Sequence, residues 1–181
     1  MTFNEVNELK KKANAIALKR GGLKDMNDGQ RLAAIVVEIG RLIDACLKDR
    51  WTNPSHNPIG PEGELLRDEY ERQHIGTVEE CTASILIACF GYLNGNNLGI
   101  LNINGFGYTY ARIRLEVEEM NSTDFALFLC QHACNPRAYT LTAALSISRI
   151  IGALAAWCEE GQMDLQQQAE WKLMYMDGAE R

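Results

Sequence analysis

The sequence predicts an all-α protein, a helical bundle, from three observations. In residues 29–51 the apolar side chains Leu32, Ile35, Val36, Ile39, Leu42, Ile43 and Cys46 recur at steps of three and four. That is the period of one helix face. Two further stretches are strongly apolar, residues 77–93 nearly all round, as in a helix buried on several sides, and residues 141–158 with a single charged side chain. Helix punctuation also stands where a bundle needs it: Asp28, Thr77 and Ser122 or Thr123 as candidate N-caps, and Gly21–Gly22 as a stop.

In chain order, residues 4–20 form a first helix with Val6, Leu9, Ala13, Ile16 and Ala17 inward, and the run Lys10–Lys12 reads as a solvated face. The helix of residues 29–51 follows. Three prolines and two glycines in the next twelve residues make a loop, and residues 64–73 read as a short exposed helix. Thr77 caps the first apolar helix, with Glu79 and Glu80 in its first turn, where the helix dipole favours carboxylates. Residues 94–110, rich in Asn and Gly, read as a connection with a short hairpin at Asn104–Gly105. Amphipathic helices over 112–121 and 122–133 lead to the second apolar helix, whose one charged side chain before Glu159 is Arg149. A buried guanidinium is costly unless paired, so Arg149 is expected to find a carboxylate or reach solvent. Residues 164–176 close the bundle.

With 181 residues the chain is expected to be a single domain, 1–181. An echo between residues 78–98 and 145–165 matches Val78 with Leu145, Ala83 with Ile150, Ile87 with Leu154 and Phe90 with Trp157. If it is a true repeat, the chain is two related units, 1–104 and 105–181, packed as an internal pseudo-dimer. If not, the two apolar helices call for a homodimer to cover them.

The formal net charge of −6 argues against nonspecific nucleic-acid binding, which needs many cations facing phosphates. The N-terminus lacks the apolar core of a signal peptide, and the apolar stretches are short or interrupted for a bilayer span. The expectation is a soluble, cytoplasmic protein that does not enter a membrane, with its six cysteines as free thiols. Cys130, His132 and Cys134 have metal-type side chains, but on a helix the cysteines share a face and His132 points away from it, which disfavours zinc. His56 and His74, in or beside the proline-rich loop, read as exposed.

Helix-borne carboxylates facing one groove are how bundles hold divalent metals. Four of them, in two pairs at i and i+3 or i+4, would bind Mg²⁺ and through it a triphosphate. The segments FNEVNELKKKANAIALKRG, IVVEIGRLIDA, VEECTASILIACFGYLNGNNL and DLQQQAEWKLMY, in that order, resemble the MazG-like all-α nucleoside triphosphate pyrophosphohydrolases, especially short phage-type members. The resemblance covers rather more than half the chain. It implies cleavage of a nucleoside triphosphate to monophosphate and pyrophosphate at a Mg²⁺ site. That site has Glu-x-x-Glu on one helix and Glu-x-x-Asp on the next. Glu38 matches the first Glu, but the second falls on Arg41. On the next helix Glu79 with Thr82, or Glu80 with Ala83, takes the other place, so the Asp is missing in either register. In the second unit the corresponding positions are Ser146 and Arg149.

Metal ligation thus falls to Glu38 and to Glu79 or Glu80, and Arg41 and Arg149 become candidate phosphate contacts. The plainer role for Arg41 is an ion pair with Glu38 or Asp44 on its own helix. At ~5 Å and an effective dielectric of ~20, a divalent ion and a guanidinium repel by roughly 6–7 kcal/mol before relaxation, so hydrolysis by the family mechanism is expected to be weakened or lost. The rival reading is a non-catalytic helical protein that binds a nucleotide or another protein on the same scaffold. The candidate partners are a nucleotide and a second copy of the chain.

Overall fold

The structure is a computed structural model that describes residues 1–20, 26–53, 55–99, 103–134 and 140–178. Within these it is all-α, with eight helices: α1 (Phe3–Lys19), α2 (Asp28–Leu47), α3 (Arg67–Gln73), α4 (Val78–Gly95), α5 (Ile103–Val117), α6 (Ser122–Cys134), α7 (Thr140–Glu160) and α8 (Leu165–Gly178). The predicted stop at Gly21–Gly22 lies outside the described residues.

The helix starts are chemically specified. Thr2 and Glu5 form a reciprocal capping box at α1, and Asn27 and Gln30 form one at α2. The α2 cap is therefore Asn27; Asp28, the expected cap, is the first helical residue and instead accepts from Arg31 at 3.3 Å. Thr77 caps α4 as expected, taking the Glu80 N–H. At α6 the side chain of Asn121, one residue before the expected Ser122 or Thr123, takes the N–H groups of Thr123 and Asp124. Asp164 takes the N–H of Gln167 at the start of α8.

The helix ends share a device. After α2, α4 and α7 a residue with positive φ (Asp49, Asn97, Gln162) turns the chain. The next N–H then reaches back to a carbonyl in the last turn: Arg50 to Ala45, Leu98 to Leu93, Met163 to Cys158. This is the Schellman closure, here without glycine at the left-handed position. It matches Asn97 with Gln162, two residues out of register with the sequence echo.

Helix α4 is the hub and packs on α1, α2, α7 and α8. It is buried on all sides because small residues (Ala83, Ser84) alternate with bulk (Ile85, Leu86, Phe90, Leu93). Helix α7 lies against α4, α5 and α6, with Ile147, Ile150, Ile151 and Leu154 fully buried. Each apolar helix thus packs on several others within the one chain. From Ile103 the expected connection and its hairpin at Asn104–Gly105 are replaced by the start of α5. Helix α5 packs on α7 with Ile113 and Val117 buried, and that packing outweighs the low helix propensity of Asn and Gly.

No single helix among the described residues is long and apolar enough to cross a membrane. The α3–α4 pair passes that test only when joined, and it bends by 109° at its break. All six cysteines are free.

Candidate functional site

Glu80 stands at the third position of α4 and is fully buried. Each of its oxygens is spoken for. Oε1 accepts from Lys172 Nζ on α8 at 2.5 Å and from Ser84 Oγ at 2.9 Å. Oε2 accepts from Arg41 Nη2 on α2 at 3.0 Å and from the Gly76 N–H at 3.1 Å. Gly76 has φ +78, and a Cβ there would meet Arg50 Nη1 at 3.2 Å, so glycine is needed to aim this N–H inward. Arg41 also donates from Nη1 to Glu38 Oε2 at 2.7 Å.

Four charges therefore close on themselves: Glu38 and Glu80 against Arg41 and Lys172. Burial by itself would raise the Glu80 pKa. Lys172 first, then the Gly76 N–H and Arg41, overcome it and hold the carboxyl below its ordinary range. Burial likewise opposes the Arg41 charge, and Glu80 followed by Glu38 reverses that and raises its pKa.

The structure brings together Glu38, Arg41 and Glu80 and turns Glu79 away. Glu79 Oε2 accepts from the Thr52 N–H at 2.9 Å, on the loop side of α4. The two registers left open for the second helix thus separate: Glu80 faces the α2 groove and Glu79 does not. The expected pairing of Arg41 with Glu38 is present, but Asp44 pairs with Lys48 and Arg50 instead. Arg149 is not among the residues paired in this cluster. It is half-buried on α7, acts on His132 of α6, and forms no ion pair with a carboxylate among the described residues. Lys172, the second cation on Glu80, carried no signal in the sequence beyond lying in the last amphipathic helix.

Mg²⁺ needs about six oxygen ligands in an octahedron. Here two carboxylates face one another through a guanidinium, and the remaining oxygen of Glu80 holds an ammonium. Among the described residues no group of three or more His, Cys, Asp or Glu side chains could hold a metal, the Cys130–His132–Cys134 stretch included. The residues present do not fit Mg²⁺. A divalent ion would have to displace two cations, each repelling it by roughly 6–7 kcal/mol at ~5 Å before relaxation.

Helix α3 and its loop roof the cluster. Tyr70 and His74 are fully buried rather than part of an exposed helix and loop. Tyr70 stacks on His74 at 5.2 Å and meets Tyr175 at 5.1 Å, while His74 meets the edge of Trp171 at 5.1 Å and lies 5.2 Å from His56. The expectation of exposed histidines fails because apolar and aromatic neighbours from α8, far along the chain, close over the loop. Burial, then the adjacent His56, depresses the His74 pKa to about 4. The Tyr70 hydroxyl is pushed far up, by burial first and then by the Glu80 charge.

No family model matches the chain, and neither a curated protein nor a solved structure is similar to it.

Proposed function

We propose that this chain is a non-hydrolysing helical binding protein on a MazG-like bundle, with an internal salt-bridge cluster standing where that family holds its metal. The observation that carries this reading is the saturation of Glu80. Arg41 and Lys172 satisfy both of its oxygens and neutralise, with it, the Glu38 charge. A carboxylate paired in this way offers no lone pair to a metal and no base to a water.

The cluster fits a structural role, and a nucleotide has better chemistry elsewhere. A hollow of about 620 Å³ between α1, α2 and the end of α4 is lined by Lys10 and Arg31 together with Asn14, Asn94 and Asn97. Arg31 is pressed against Gly95, where a Cβ would come within 2.2 Å of its Nε, and pairs with Asp28. Lys10 donates to the Leu98 carbonyl at 3.0 Å. Two cations beside amide groups suit a phosphate-bearing ligand, and Arg31 and Lys10 take the phosphate role assigned from sequence to Arg41 and Arg149.

The test is pyrophosphate release from a panel of ribo- and deoxyribonucleoside triphosphates with Mg²⁺ or Mn²⁺, alongside calorimetric nucleotide binding with and without Mg²⁺. The expected result is no release, and binding that ignores Mg²⁺ and weakens in Lys10→Gln. Mg²⁺-dependent release that disappears in Glu80→Gln would overturn the reading, as would an absence of nucleotide binding.

A further inference from the structure

On the opposite side of Glu79 from the salt-bridge cluster, a second hollow of about 430 Å³ opens between the Trp51–Asn53 loop, the end of α7 and the start of α8. Its wall holds two tryptophans, Trp51 and Trp171, and two carboxylates, Glu79 and Asp164, with no lysine or arginine. Trp51 is 46% exposed and Trp171 is 6% exposed, so one indole is anchored in the core and the other flanks the opening.

The polar groups here lack donors. Glu79 takes one N–H, from Thr52, on Oε2. Asp164 takes one, from Gln167, on Oδ1. The second oxygen of each has no partner among the described residues, and neither carboxylate forms an ion pair there. Gln168, only 9% exposed, lines the same hollow, and its Oε1 also has no hydrogen-bond donor among the described residues. A buried acceptor without a donor costs about 1–3 kcal/mol, so Gln168 Oε1 calls for a ligand that brings an N–H group, and the half-buried Glu79 and exposed Asp164 carboxylates beside it favour one that is positively charged. Indole faces add to this: a cation over a tryptophan gains ~0.5–2 kcal/mol.

The geometry points to a binding site for a small organic cation bearing an alkylammonium or guanidinium group. The inference goes beyond the nucleotide reading and does not depend on it, because a wall with two carboxylates, His56 and no lysine or arginine disfavours phosphate. Its recognition logic is an indole on either side of the charge, carboxylates to pair it, and the Gln168 carbonyl to take a remaining N–H.

The experiment is calorimetric titration of the full chain with putrescine, spermidine, agmatine and tetramethylammonium, followed in parallel by tryptophan fluorescence. The neutral control is 1,4-butanediol, which has the length of putrescine without its charge. Glu79→Gln keeps an acceptor for Thr52, Trp51→Ala changes a half-exposed side chain, and Glu118→Gln on an exposed site is the control variant. Saturable binding of at least one amine is expected, with none of the diol. Affinity should fall about tenfold in both Glu79→Gln and Trp51→Ala, equivalent to ~1.4 kcal/mol, and stay unchanged in Glu118→Gln. Unfolding curves of the variants, matched to the parent, separate a lost site from a lost fold. Equal binding of diol and diamine, amine binding indifferent to both wall variants, or no amine binding would overturn the proposal. So would binding of an end-blocked lysine peptide together with no binding of any of the small amines, which would move the cation to a protein side chain.

Discussion

The α2–α4 pair and the α5–α7 pair are built alike, each a nearly all-apolar helix laid against an amphipathic one, yet they handle buried polarity in opposite ways. Helix α4 buries a full charge, Glu80, and surrounds it with Arg41, Lys172, Ser84 and the Gly76 N–H. Among its described side chains helix α7 buries the hydroxyl of Ser148, which has no partner among the described residues, and it leaves Arg149 half-buried without a carboxylate there. A neutral hydroxyl can be left orphaned at a cost of about 1–3 kcal/mol, whereas an orphaned carboxylate costs several times that. The charged half must therefore recruit cations from other helices, and the neutral half has no need to.

Removing one cation from Glu80 tests this contrast most severely. Lys172→Met should destabilise the protein by about 3–5 kcal/mol, the usual consequence of leaving a buried charge short of a partner. In a chain of this size that is a fall of very roughly 10 °C in unfolding midpoint. A loss below 1 kcal/mol in urea unfolding would show that Arg41 and Gly76 suffice for Glu80.

Acid should act next. His74 has a folded pKa of about 4 against an ordinary 6.5, so between those values the unfolded chain takes up the proton first. Stability attributable to this ring is complete above pH 6.5 and declines by about 3 kcal/mol on the way to pH 4. Glu80, held low, is lost only as pH falls through its own depressed pKa, so its loss follows that of His74. Unfolding curves at intervals from pH 7 to 4 should show the decline, and His74→Phe should flatten it. A profile equally steep in that variant would assign the effect elsewhere.

Arg41→Met should cost less than Lys172→Met, about 1–2 kcal/mol, because the guanidinium is partly solvated and Glu38 can turn to water. At the other extreme, Ser148→Ala on α7 should leave stability unchanged or raise it by about 1 kcal/mol, since it removes an unmatched hydroxyl. If it cost as much as Arg41→Met, the two halves would not differ in the way described.

Much of the scaffold was legible from periodicity and caps. The inward faces of α1 and α2, the all-round burial of α4, the apolar character of α7 and Thr77 as a cap are local consequences of side-chain spacing. The start of α5 was missed because Asn and Gly there spell a turn locally, and tertiary packing outweighed that preference. Of the site, the sequence carried the Glu38–Arg41 pair, three residues apart on one helix. It left open whether Glu79 or Glu80 faces that pair, because a one-residue shift turns a helix by only about 100° and α4 is apolar nearly all round.

The chain's own spacing thus determined an all-α bundle, its helix order, and the placing of Glu38 and Arg41 three residues apart on one helix face. Tertiary structure alone decided that Glu80 is the buried acid, that Lys172, 92 residues away, completes its neutralisation, and that Trp51 and Trp171 face one hollow. The reason is physical. Helix formation and capping depend on neighbours within about four residues. Which charges meet depends on how helices rotate and pack against one another, and that is set by the whole core.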